Sequence, residues 1–353
     1  MRPVFHIFAL IGLLFARWLA LPALVSAEQG GPVLDNRFIL ETVNSVGDTI
    51  YEQYFDVNVA AAVARVLKRR LAEGRYASVA THEMIASKLT EDLFELTRDK
   101  HLAVTVSRNR PTDTAADSEA DDSRAPTARR TNFGVQRVEI LAGNVGYLNL
   151  TAFYRPDEAR DAIAAAMGML RHADALILDV RSNGGGSPAT AALVASYFFT
   201  KRRMPLFEIV PRSGEKRIYE TESSDLPQRN GKRPMYVLTS ARTFSAGEGI
   251  AFLLQERKRA EVIGETTAGA ANPGRPYRVN DHFEVTIPNG KIRTAIRGSN
   301  WEGTGVVPDV KVAAEEALNV AHKGALERLL KSAQKGSWRD QLERHLETLK
   351  RTH

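Results

Sequence analysis

Residues 175–186 read ALILDVRSNGGG, and this stretch restricts the fold more than any other part of the chain. Its first six residues are apolar at nearly every position, whereas a strand with one wet face alternates. Strands that are apolar throughout are covered on both faces, as in parallel sheets flanked by helices. The surrounding pattern agrees. A strand is expected over 145–153, a helix within 156–172, the apolar strand at 175–181, a helix over 189–199, the strand MYVLTS from Met235, a helix after Ser245 and a strand at 260–265. Strand–helix alternation of this kind defines the α/β class.

Upstream, residues 36–98 are helical in period. Val59, Val63 and Leu67 recur every four residues, Gly74 is placed to stop a helix, and Thr81 to cap the next. The chain therefore divides into a helical N-terminal domain (33–98), a strand leading into the second domain (99–107), a polar loop or disordered insert (108–132), an α/β domain (133–312) and a C-terminal helical segment (313–353). The acidic run within 117–122 lacks the glycine and spacing of a calcium loop. Within 283–294, Asn289-Gly290 between two alternating runs predicts a β-hairpin.

Residues 1–27, MRPVFHIFALIGLLFARWLALPALVSA, read as a signal peptide. Arg2 precedes an apolar stretch that closes on Val25-Ser26-Ala27, a small-x-small cleavage pattern, while Arg17 interrupts the stretch. The expectation is export, periplasmic or secreted, with a mature start at Glu28 and no stable membrane span after processing. The sequence holds no cysteine, which removes disulfides, a thiol nucleophile and thiolate metal sites. Net charge is +6 with Lys and Arg scattered, so nucleic acid is not an expected partner. No metal-ligand spacing is visible, and no metal or cofactor is expected.

Two strand-to-helix turns carry chemical interest. In LTSARTFSAGEG, Ser245 stands where a helix begins. It serves either as an N-cap, with Glu248 completing a capping box, or as a nucleophile beside the free N–H groups and positive dipole of the helix. In SNGGG, glycines at 184–186 form either a plain turn or a backbone cradle for an oxyanion; the pattern is neither a P-loop nor GxGxxG. A serine nucleophile needs a base. His101, where the helical region hands over to a strand, is one of two or three candidates, while His322, His345 and His353 are expected to be solvated in the charged C-terminal stretch.

The motifs TRDKHLAV, GYLNLTAF, LILDVRSNGGG, TSARTFSAGEG, VIGETTAGAANPG and NWEGTGVVPDV, in that order, resemble the tail-specific (C-terminal processing) serine protease family. The resemblance extends from about residue 39 to 321. Family members proper use a Ser–Lys dyad with lysine in a Gly-Lys-Gly; here that stretch reads Gly269-Ala270-Ala271, so Ala270 replaces the lysine. Too little chain lies between His101 and Gly146 for a PDZ domain. GAANPG is similar to the interphotoreceptor retinoid-binding-protein-like branch and to the catalytic domain of tricorn protease.

That resemblance implies a Clp protease/crotonase-like spiral of strand–strand–helix units behind a small helical domain. It also assigns a nucleophile, Ser245, a histidine base, His101, and an orienting carboxylate, Glu302. The oxyanion donors would be the N–H groups of Ala246 and Gly185, with Gly184 as substitute. Where tricorn protease has a serine before its histidine, this chain has Lys100. Asp179 and Arg181 would hold the glycine turn, Glu248 would act as a capping partner, and Trp301 would pack beside the site. The implied function is an exported serine-type peptidase acting on a peptide or protein substrate. The alternative, from the retinoid-binding relatives, is a noncatalytic carrier of hydrophobic ligands on the same fold.

Overall fold

In a computed structural model of the chain, the described residues are 34–107, 125–224, 226 and 231–351. The leader expected at 1–27 and residues 108–124 of the expected insert lie outside them. Helices α1 (Asn36–Gln53), α2 (Val57–Ala72) and α3 (His82–Thr97) open the fold. Each begins where the side chain of Asp35, Asp56 or Thr81 accepts a first-turn N–H. Strand β1 (Ala103–Val106) follows, and after the undescribed stretch comes a short helix, α4 (Ala125–Arg130). The end of the expected polar insert is thus helical, and Arg129-Arg130 in its last turn suit the helix dipole.

The α/β region then runs through β2 (Val135–Leu141), β3 (Val145–Leu150), α5 (Pro156–Met169), β4 (Ala175–Asp179), α6 (Pro188–Ser196), β5 (Pro205–Pro211), β6 (Arg217–Glu220), β7 (Met235–Thr239), α7 (Ala246–Glu256) and β8 (Glu261–Gly264). It continues with β9 (Gly274–Arg278), β10 (Phe283–Pro288), β11 (Gly290–Thr294) and β12 (Val310–Lys311), and ends in α8 (Ala317–Ser332) and α9 (Ser337–Arg351). A six-stranded sheet has the order β12-β8-β7-β4-β3-β2. Only β2–β3 pair antiparallel; the other neighbours are parallel. Each parallel strand is added on the same side of its predecessor, so the chain advances in one direction, the spiral winding expected. All five residues of β4 are buried, as its composition required.

One face of this sheet packs on α5, α6 and α7 through residues such as Leu178, Val237 and Leu254. Ala321, Ala325 and Leu326 of α8 cover the other face against Ile177, Tyr236 and Ile263. The helical N-terminal region does not close its own core. Val43, Leu67 and Leu93 pack with Phe283, Val285 and Ile287 of β10, and β1 pairs with β10 in the three-stranded sheet β1-β10-β9.

The hairpin expected at Asn289-Gly290 is absent. β10 pairs with β1 and β9, whereas β11 pairs with β5, so the dipeptide is a corner between two sheets. Neither residue has the positive φ that a two-residue hairpin turn demands. Gly290 is required instead by close approach, since a Cβ there would lie 2.6 Å from the Ile209 side chain. Among the described residues no helix is long and apolar enough to cross a membrane.

Candidate active site

The turn between β7 and α7 is stitched onto the glycine turn after β4. Ser240 Oγ donates to Arg181 O (2.6 Å), Thr243 Oγ1 to Val180 O (2.9 Å) and Phe244 N–H to Asn183 O (2.9 Å). Small hydroxyl residues in TSARTFS therefore do the joining. At the end of the turn, Ser245 has φ 52° and ψ −121°, a region in which side chains other than glycine are strained by about 1–3 kcal/mol. Ser245 and Glu248 form the expected capping box, with Glu248 Oε2 accepting the Ser245 N–H at 2.8 Å. Capping residues nevertheless adopt extended backbone, so a capping role alone does not account for this conformation.

Gly185 (φ 95°) packs directly under the serine: a Cβ there would lie 2.7 Å from Ser245 Cβ and 3.2 Å from Ala246 N. The structure thus brings Ser245, Ala246 and the glycine turn together. In this conformation Gly184 N–H donates to Thr151 O (3.1 Å) and Gly185 N–H to Asn183 Oδ1 (2.8 Å). Ala246 opens α7, where first-turn N–H groups lack intrahelical acceptors and face the positive dipole end.

Ser245, Ala246, Gly184 and His101 line one cavity of about 270 Å³. Its other walls are mainly apolar, from Phe207, Phe244, Leu253, Ile292 and Trp301, with Thr294 among them. The His101 ring lies 4.8 Å from the Phe244 ring, centroid to centroid, and burial depresses its pKa to about 4. Its Nδ1 is buried without a partner.

Glu302 lies behind the cavity. Oε2 accepts the N–H groups of Ala271 (2.7 Å) and Asn272 (3.0 Å), while Oε1 is buried without a partner. Burial first, and then the neighbouring Asp99 and Glu248 carboxylates, raise Glu302 to about 7. No hydrogen bond among the described residues joins the His101 ring to Ser245 or Glu302. The unpartnered Nδ1 and Oε1 are complementary, a ring nitrogen and a carboxylate oxygen.

Glu248 does more than cap. Fully buried, it accepts from Thr267 Oγ1 (2.6 Å), Gly269 N–H (2.6 Å) and Ala270 N–H (2.9 Å) as well as Ser245 N–H. It clamps the turn that carries Ser245 to the loop that carries Ala270. Ala270 is itself fully buried, and its carbonyl accepts from Trp301 Nε1 at 3.0 Å. Lys100 reaches this loop, donating to Ala268 O, but does not line the cavity. Asp179 is held by Tyr147 Oη (2.6 Å) and Arg181, which bridges on to Ala314 O and so fixes the glycine turn. His322, expected in solvent, is 8% exposed with Nε2 2.7 Å from Ala142 O; helix α8 turns it inward because that face covers the sheet.

Sequence reasoning missed Asp99 and Tyr54. Asp99 is 2% exposed; Oδ1 accepts the His101 N–H (3.0 Å) and Oδ2 the Tyr54 hydroxyl (3.2 Å). The aspartate two residues before the histidine was visible in TRDKHLAV, whereas nothing local marked Tyr54.

The fold and cavity define an α/β chain with a helical N-terminal region and a serine–histidine cleft at the junction of the two. The chain belongs to peptidase family S41: the model of that family matches residues 144–312, and the model of its N-terminal domain in eukaryotic IRBP matches residues 35–133. It is 29% identical over 167 residues to a chloroplastic carboxyl-terminal-processing peptidase of Arabidopsis thaliana, covering 47% of this chain and 31% of that one. A solved structure of a protein from Parabacteroides merdae superposes with a TM-score of 0.54 at 17% identity, covering 84% of this chain and 99% of that one. Tricorn protease superposes with a TM-score of 0.50 at 13% identity, covering 89% and 37% respectively. At these identities the structural likeness speaks for the fold. The chain spans less than half the length of the curated relatives it matches.

Proposed function

We propose that the protein is an exported serine-type peptidase that cleaves by acyl transfer through Ser245. The observation that carries this reading is the strained Ser245 backbone, which sets the hydroxyl in one cavity with His101, against Gly185 and at the N-terminus of α7. His101 takes the hydroxyl proton as Ser245 Oγ attacks the substrate carbonyl. It then returns that proton to the leaving amine, and water repeats the cycle on the acyl-enzyme. Ionised Glu302 stabilises the imidazolium once its free oxygen meets Nδ1. Ala246 N–H receives the oxyanion, and Gly185 N–H (or Gly184 N–H) joins it on release from its resting acceptor, since such bonds tighten only around the reacting substrate. The apolar cavity walls suit an apolar substrate side chain next to the cleaved bond.

The test is labelling of the intact protein with a fluorophosphonate serine probe, the modified residue being mapped by mass spectrometry. Label at Ser245, lost in His101→Ala, supports the reading; label elsewhere, or none alongside absent peptide turnover, refutes it. The carrier reading draws support from the same apolar walls. Against it, a carrier has no need of strain at Ser245. Export rests on residues 1–27 and is checked by N-terminal sequencing of protein from its host, with Glu28 as the expected first residue.

A further inference from the structure

We infer that Tyr54 and Asp99 are positioning residues for the histidine base, so that helix α1 sets where His101 stands. The inference rests on the reading of Ser245 and His101 as the acyl-transfer pair and adds residues from outside the α/β region to it. Arg98, the left-handed C-cap of α3, turns the chain sharply, and Asp99 and His101 follow within three residues. No helix or strand holds His101, which lies between α3 and β1. What fixes it is the Asp99 carboxylate, through the His101 N–H at 3.0 Å. That carboxylate is buried and is held in turn by the Tyr54 hydroxyl at 3.2 Å, from a residue 45 positions earlier.

Tyr54 is anchored from several sides. It is the C-cap of α1, its N–H donating to Ile50 O at 3.0 Å, and it is 4% exposed. Arg212, just beyond β5, donates to the α1-terminal carbonyls of Tyr51 (2.6 Å) and Glu52 (2.9 Å). Phe55 N–H donates to Pro288 O (3.1 Å) at the end of β10. The base is therefore referenced to α1 and to the sheet containing β5, β6 and β11, which supplies Phe207 and Ile292 to the cavity wall. A carboxylate that merely closed the turn at 99–101 would not require a buried tyrosine from another helix. The groups that meet His101 are the Asp99 carboxylate at its N–H and the Phe244 ring beside its imidazole, while Glu302 and Tyr54 act on Asp99.

The experiment compares full-length wild type, Tyr54→Phe and Asp99→Asn. Peptide turnover and the rate of fluorophosphonate labelling at Ser245 are measured alongside NMR of the His101 imidazole, assigned with His101→Gln. Both variants are expected to lose roughly tenfold in kcat and in labelling rate with KM within twofold, and to move the His101 ring resonances and their titration. Tyr54→Phe removes one oxygen and keeps the ring, so it serves even if Asp99→Asn fails to fold. Unchanged kcat, labelling and His101 resonances in Tyr54→Phe would overturn the inference. A wild type that neither turns over peptide nor labels refutes the acyl-transfer reading separately, and the NMR arm then decides on its own whether Tyr54 places the ring.

Discussion

Ser245 occupies a backbone conformation that glycine adopts freely and serine does not. Removing the side chain therefore has two effects of opposite sign: Ser245→Ala keeps the strain and loses the hydroxyl's capping contact, whereas Ser245→Gly relieves the strain. We expect the glycine variant to be more stable than the alanine variant by about 1–2 kcal/mol, with both folded and turnover reduced by orders of magnitude. Thermal unfolding of the pair decides it; an alanine variant as stable as the glycine one contradicts the strain. The pH profile is a second residue-scale prediction. With His101 held to about 4 and Glu302 raised to about 7, His101 is neutral throughout the mildly acid range, and in the proposed mechanism the ionisation that would switch activity on is that of Glu302. Turnover should therefore rise through about pH 7 rather than in the ordinary histidine range, and Glu302→Gln should lose that limb and fall to a low plateau. Stability carries a matching signature. His101, lowered on folding, makes stability fall as pH drops from about 6.5 to 4. Glu302, raised on folding, makes it fall as pH climbs from about 4.5 to 7. The two slopes oppose each other over their common window, and the raised Asp99 and Glu248 act in the same sense as Glu302, so Glu302→Gln should shift the slope of stability against pH between about 4.5 and 6.5 in the positive direction relative to wild type, read by chemical denaturation at several pH values. Ser245, His101 and the glycines, which the structure brings to one cavity, could be picked out as candidates from sequence because each sits in a short contiguous motif. The Tyr54–Asp99 contact could not, because only folding brings the two together.

At the scale of elements, the link that matters is between α7 and the loop at 267–271. Glu248 supplies only acceptors to four donors, from Thr267, Gly269, Ala270 and Ser245. In Glu248→Gln one oxygen becomes an NH₂ group aimed at donors, leaving buried groups unsatisfied. The expected loss is about 2–3 kcal/mol in urea unfolding with an unchanged m value, together with a large drop in Ser245 labelling. Full labelling in that variant would show that the clamp does not hold the Ser245 turn. The helix–strand alternation, Thr81 as a cap and the buried β4 were legible because local period and capping chemistry determine them. Asn289-Gly290 shows the limit of such signals. The dipeptide does mark a change of direction, but sequence cannot tell a glycine needed for positive φ from one needed because Ile209 lies where its Cβ would be.

Across the whole molecule, the boundary legible near residue 98 is a boundary along the chain and not in space. The helical region buries Val43, Leu67 and Leu93 against Phe283, Val285 and Ile287, residues some two hundred positions later, and β1, which follows it, pairs with β10. Local period could not reveal this, because β10 reads as an ordinary alternating strand wherever its partner lies. The cleft inherits the same long-range construction: His101 belongs to the helical side, Ser245 to the six-stranded sheet, and Ile292 to the third sheet. Two fragments, 28–107 and 125–353, should therefore fail to fold separately. The first would expose the apolar faces of α1, α2 and α3, and the second would expose β10 on the side that β1 and these helices cover. Far-UV circular dichroism of the first alone should show little helix, as short helices without a packed partner are marginal in water. Co-expressed, the fragments should copurify and regain Ser245 labelling, because chain continuity across 108–124 is not what joins their shared core. A stable, helical 28–107 fragment in isolation, with a cooperative melt, would show that this core closes without β10.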